Sequence, residues 1–126
     1  MVKLSMKRKR LIVQRTIELL TPSYAWGKGS WRKKNTRAPE GVQMCLLGGL
    51  QQAYEDVTGK KSYGDGGDIA AQLSLAALAR AKNVERGLMG AAAASPSTAV
   101  FTFNDARTTK KNDVLALLRE KEAELA

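Results

Sequence analysis

Residues 39–57 read PEGVQMCLLGGLQQAYEDV, and they decide the fold. The stretch holds the only cysteine, Cys45, beside a Gly48-Gly49 pair and a dense apolar face. Pro39 suits the first position of a helix, where its missing N–H costs nothing. Glu40 then falls in the first turn, where the helix dipole favours an acid. Val42, Leu46, Leu50 or Gly49, Ala53 and Val57 share one face, which Leu47 and Tyr54 widen. This spacing predicts a central buried helix over Pro39 to Val57. Each glycine costs a helix roughly 1 kcal/mol relative to alanine, so two in succession predict a close crossing by another element.

Outward from there, the chain divides by charge. Residues 1–37 hold eleven basic residues and one acid, a net +10, whereas residues 38–126 sum to −1. The asymmetry suggests a polyanionic partner or an acidic protein surface, and a solvated basic face is the plain alternative. Two basic clusters stand out: Lys7, Arg8, Lys9 and Arg10, then Lys28, Arg32, Lys33, Lys34 and Arg37.

Before the central stretch, residues 7–20 show helical periodicity. Ile12, Thr16 and Leu19 form one line, and Val13, Ile17 and Leu20 the next. Thr21-Pro22 ends that helix. Its first turn carries the Lys7 to Arg10 run, where the dipole disfavours cations. Either the turn frays, or an anion or an acidic surface relieves it. In Tyr24 to Lys34, Gly27 and Gly29 break the helix, and Tyr24 and Trp26 alternate as in a short strand. Trp26 is expected to be buried, while Trp31 stays open between core and surface. Trp26 and Trp31 interleaved with Lys28, Arg32, Lys33 and Lys34 have the composition of a nucleic-acid patch, with aromatics to stack and cations for phosphates, while tryptophan as core material is the plain alternative. Asn35 to Ala38 reads as a linker.

After it, Thr58 to Gly67 is a loop by composition. Asp68 reads as the N-cap of a helix from Ile69 to about Arg86, with Ile69, Leu73, Ala76, Ala77, Arg80 and Val84 inward. Gly87 ends or kinks it, and residues 88–94 could add a turn. Ser95-Pro96-Ser97 reads as a break. Val100 to Phe103 (VFTF) reads as a strand, from its β-branched and aromatic alternation. Asn104-Asp105 is expected to fix its own turn by side-chain to backbone hydrogen bonds. A final helix from about Thr109 to Leu125, capped by Thr108 or Thr109, turns Val114, Leu117, Leu118, Lys121 and Leu125 inward.

The expected architecture is therefore α+β and predominantly helical. About four helices pack with a small β element from the Trp26 and Phe101–Phe103 segments, in a single domain spanning residues 1–126.

Chemistry is sparse. The chain has no histidine, so a Cys-His pair cannot form, and zinc would lack its usual ligands. On a helix beginning at Pro39, Cys45 lies nearly two turns in, where the dipole does little for a thiolate. Cys45 is thus expected to pack as a small hydrophobe, and no catalytic, cofactor or metal residues are assigned. The acids at Glu55-Asp56 read as a solvated helix end. One cysteine fits a reducing, cytoplasmic setting, and no apolar run reaches the roughly 20 residues of a membrane span.

The ordered landmarks carry a resemblance: Trp26-Gly27, Cys45-Leu46-Leu47-Gly48-Gly49-Leu50, Phe103-Asn104-Asp105, Arg107-Thr108 and Asp113 to Leu118. Together they resemble a domain family of unknown function found in small proteins of actinobacteria and their bacteriophages. Phe103 stands where that family often has Trp. The gap from Thr108 to Asp113 is longer than usual. The resemblance implies a fold and a phage-like origin but no reaction. Two readings follow. One is a non-enzymatic accessory protein that binds a host protein. The alternative is a nucleic-acid-binding protein that uses the two basic clusters and Trp31. A homo-oligomer stays open.

Overall fold

The computed structural model describes residues 3–88 and 95–126. Over these residues the chain is α+β and mostly helical. Six helices, α1 (Met6–Leu20), α2 (Leu46–Thr58), α3 (Gly67–Gln72), α4 (Leu75–Glu85), α5 (Pro96–Asp105) and α6 (Lys111–Glu124), accompany one two-stranded antiparallel sheet. One core cluster draws apolar side chains from all six helices.

Helix α1 forms as its periodicity predicts and buries Ile12, Val13, Thr16, Leu19 and Leu20. Ser5 caps it: its hydroxyl accepts from the Arg8 amide at 3.2 Å. A Ser cap stabilises by about 1 kcal/mol, which offsets the four cations that follow. Helix α2 packs antiparallel to α1, with Gly49 beside Leu20 and Arg15 ion-paired to Asp56 at 2.9 Å.

The central stretch is not one helix. Pro39 lies in a hairpin loop, and Gly41 takes a left-handed φ of 73° that ends any helical path there. Strand β2 (Val42–Met44) then pairs with β1 (Arg32–Lys34) in the register Arg32↔Met44, Lys33↔Gln43, Lys34↔Val42. The expected linker is the loop of this hairpin: the Asn35 amide donates to the Gly41 carbonyl, and the Arg37 amide to Asn35 Oδ1. Trp26 joins the other side of β2 by a parallel bridge to Met44. The sheet therefore uses Arg32–Lys34 and Val42–Met44, and Phe101–Phe103 takes no part.

Two further expectations are corrected. The VFTF segment is the middle of α5. Ser95 and Pro96 are its cap and first residue, not a break, and the Ser95 hydroxyl accepts from the Thr98 amide. On a helix, Val100, Phe103 and Asn104 fall on one buried face, so tertiary burial overrides β propensity. The helix expected over Ile69 to Arg86 is two helices, because Ser74 adopts a left-handed φ of 56°. That break resets the helical phase. Leu75, Ala76 and Ala79 turn inward, while Ala77 and Val84 are exposed. The N-cap position of α3 is Gly66, and Asp68 lies in the first turn. Arg86 follows α4 and Gly87 has a positive φ, as a helix stop requires. The extra turn expected at residues 88–94 lies almost wholly outside the described residues.

At the C-terminal end, α6 is capped from Lys110, whose amide donates to Asp113 Oδ2 at 2.8 Å. Thr109, an expected cap, instead donates its hydroxyl to the Phe103 carbonyl at 2.7 Å. Lys121 is buried on the inner side of α6 and pairs with Glu124.

Candidate functional site

Asn104 is a hub at which three of the five landmarks meet: Trp26-Gly27, the Cys45–Leu50 run and Phe103-Asn104-Asp105. Its Oδ1 accepts from the Trp26 indole N–H at 2.7 Å and from the Leu46 amide at 3.0 Å. Its Nδ2 donates to the Gly27 carbonyl at 3.1 Å and to Asp105 Oδ1 at 2.9 Å. Leu46 is the first residue of α2, and Cys45 at its N-cap offers no side-chain cap. The helix start is thus capped from α5, by a residue 58 positions away. This corrects the expectation that Asn104 and Asp105 bond within their own turn. Asp105 Oδ1 also accepts from the Gly29 amide at 3.0 Å.

The glycine pair works as predicted, with two different neighbours. A Cβ on Gly48 would lie 1.9 Å from the backbone oxygen of Trp31. A Cβ on Gly49 would meet only the Leu20 side chain, at 3.2–3.3 Å. Gly48 therefore lets the extended segment lie directly on α2, and this close approach positions Trp31.

Beside the hub lies a cavity of about 220 Å³. Leu47 and Cys45 line it from the start of α2, Phe101 and Asp105 from α5, and Gly29 and Trp31 from the extended segment. Trp31 is 48% exposed and Phe101 43% exposed, whereas Cys45 is only 5% exposed. Trp26, expected to be buried, is half-buried against the core with its N–H satisfied by Asn104.

Cys45 sits at the helix N-terminus rather than two turns in. The start of a helix lowers a thiol's pKa, yet here the thiol is pushed up. Burial is the largest cause; the Gly48 and Leu47 amides pull the other way, and the nearby Asp105 charge adds to the rise. Cys45 stays a protonated, packed thiol, as expected, but for reasons of burial rather than of helix position.

The ten basic and aromatic candidates occupy two places. Lys7, Arg8 and Arg10 are exposed and Lys9 is partly exposed on the first turns of α1. The first cluster lies at the start of α1, and the second on the extended segment, β1 and the hairpin loop. In the second cluster, Lys28 Nζ donates to the Ala106 carbonyl at 2.7 Å. Arg32 Nη1 donates to Gln52 Oε1 at 2.8 Å, and the Arg37 guanidinium lies 5.6 Å from the centre of the Tyr24 ring. Lys33 and Lys34 are exposed on β1. Among the described residues, none of these nine cations forms an ion pair. β1 is the outer edge of its sheet, and cations on an open edge discourage pairing with another strand. That role accounts for Arg32, Lys33 and Lys34 without any ligand.

The Glu55-Asp56 helix end is more engaged than a solvated one. Asp56 pairs with Arg15 and accepts from Gln52, and Glu55 accepts from the Ser62 amide. Among the described residues, no group of three His, Cys, Asp or Glu could hold a metal ion, and no helix is long and apolar enough to cross a membrane.

Phe101 and the capping role of Asn104 escape sequence reasoning. The only signal was their place around the Phe103-Asn104-Asp105 landmark. Fold and site together define a mostly helical α+β domain in which three of the five landmarks tie into one hydrogen-bonded hub beside an aromatic-edged cavity. The chain belongs to the family of unknown function DUF6197, whose profile matches residues 6–124. It matches no curated protein and no solved structure.

Proposed function

We propose that this chain is a non-enzymatic binding module, a phage-encoded accessory protein that engages a protein of an actinobacterial host in the cytoplasm. The observation that carries the reading is the cavity between Trp31 and Phe101, two exposed aromatics over an apolar floor. Exposed aromatics around a concave apolar site are the usual anchors of a protein interface. The buried, protonated Cys45 gives no activated nucleophile, which supports a non-catalytic role. The phage and host assignment rests on the resemblance of the landmarks.

The test is capture by the immobilised full chain from a nuclease-treated actinobacterial lysate. The parent is compared with a Trp31→Ala, Phe101→Leu double variant. A protein retained by the parent and lost by the variant supports the reading. The same proteins retained by both defeat it.

A second reading, nucleic-acid binding, draws on Trp31 being exposed immediately before the three exposed cations of β1. Such binding would weaken steeply with salt, with a slope near −0.9 per phosphate neutralised on duplex. If an Arg32→Ala, Lys33→Ala, Lys34→Ala variant and the parent bind duplex and single strands equally weakly at low salt, this reading fails.

A further inference from the structure

We propose that the Trp31–Phe101 cavity receives one cationic side chain, a lysine or arginine of the partner protein, with its charge set against Asp105. The inference rests on the protein-binding reading and names the chemistry of the partner.

Size comes first. Pockets for small molecules typically span about 300–1,000 Å³. This cavity, at about 220 Å³, suits a single side chain. Charge comes next. Asp105 is the one carboxyl side chain on the cavity wall, Lys and Arg are absent from that wall, and among the described residues no cation pairs with it. Lys28, nearby in the extended segment, is held on the Ala106 carbonyl instead. The carboxylate is also fixed in place, because Gly29 and Asn104 both donate to Oδ1. A fixed carboxylate loses little freedom when a cation docks.

The remaining walls match the rest of such a side chain. Leu47 and Cys45 offer an apolar floor for the methylene stem. Trp31 and Phe101 offer aromatic rings near the opening, and rings attract a cation within about 6 Å of their centres. A neutral apolar side chain would make no ion pair with Asp105, which is exposed to solvent at the cavity wall. An acidic one would be repelled by it.

Three probes separate these cases: the N-acetyl methylamides of lysine, arginine and norleucine. Each is titrated into the full-length labelled chain while the amide signals of Gly29, Cys45, Leu47 and Asp105 are followed by NMR. Lysine and arginine should bind at least tenfold more tightly than norleucine. Asp105→Asn keeps an acceptor for Gly29 and Asn104, so it should fold, and it should erase the preference. Norleucine binding as tightly as lysine overturns the proposal, and so does an unchanged preference in Asp105→Asn. The captured partner distinguishes the two levels of the account. Its loss from the Trp31→Ala, Phe101→Leu variant but full retention by Asp105→Asn overturns the cation assignment alone. Its retention by both variants overturns the protein-binding reading itself. Self-association of the chain that Asp105→Asn abolishes overturns the assignment to a separate partner and puts a second copy's cation in the cavity.

Discussion

The Trp26 indole N–H donates to Asn104 Oδ1 across 2.7 Å, joining residues 78 positions apart. The same oxygen caps α2 through the Leu46 amide. One buried side chain thus ties the extended segment, the start of α2 and the end of α5 to one another. The cavity is built on that tie, so its shape depends on Asn104.

Asn104→Ala should therefore be among the costliest single changes. It strands the Trp26 indole, the Leu46 amide and the Gly27 carbonyl, and an unsatisfied buried polar group costs about 1–3 kcal/mol. Urea unfolding should show a loss of roughly 2–4 kcal/mol, within the range of broken buried networks. A loss below about 1 kcal/mol would mean that the hub is not structural.

The two central glycines should respond differently to alanine. Gly48→Ala drives a methyl into the Trp31 backbone oxygen, which no rotamer change relieves. It should destabilise by about 2 kcal/mol or more, as overpacking does, and shift Trp31 fluorescence. Gly49→Ala meets only the Leu20 side chain, and it gains up to ~1 kcal/mol of helix propensity. It should stay within about 1 kcal/mol of the parent. Equal losses at the two positions would refute this account of the pair.

Cys45 should react slowly with alkylating reagents at neutral pH, more than tenfold slower than in the unfolded chain. Burial raises its pKa, so the folded state holds the thiol proton to higher pH than the unfolded state does. Between the two pKa values the unfolded chain binds fewer protons. The thiol's contribution to stability is therefore fully present below the ordinary thiol range and falls as pH rises above it. Fast alkylation at pH 7 would contradict a protonated thiol.

Asp65 should shift stability at the acid end. Its pKa is lowered, first by the Ser97 side-chain hydrogen bond and then by the Gly67 amide. Its contribution is present above the ordinary carboxylate range and is lost as pH falls through the depressed value. Asp65→Ala should flatten the acid limb of the stability profile, measured by urea midpoints across pH. An unchanged limb would show that this contact is not used.

The parts of the fold that were legible in the sequence are those where local pattern and burial agree. Ile12, Val13, Thr16, Leu19 and Leu20 lie inward on α1 as their spacing requires. Val114, Leu117, Leu118 and Lys121 do so on α6. The glycine pair announced a close approach, and one exists. What escaped depends on contacts distant in sequence. Pro39 looked like a helix start, but Gly41 and the pairing of Val42–Met44 with Arg32–Lys34 claim that stretch for a hairpin. VFTF has strand propensity, but its helical face fits the core and Ser95-Pro96 starts a helix before it. The cap of α2 could not be read locally, because it comes from Asn104. Of the candidate site, Trp31 and the β1 cations were legible by composition. Phe101 was not, since a strand reading gave it no place on a cavity wall.

The central claim is that the partner sits in the cavity and not along the basic edge. The direct measurement is the partner's affinity for Phe101→Leu beside its affinity for the Arg32→Ala, Lys33→Ala, Lys34→Ala variant. Phe101 is an exposed wall of the cavity, and the three cations lie on the outer strand. Edge charges act mainly on the rate of encounter. The account predicts at least a tenfold loss of affinity for Phe101→Leu and a smaller change for the edge variant. Unchanged binding to Phe101→Leu, with the loss confined to the edge variant, would contradict it.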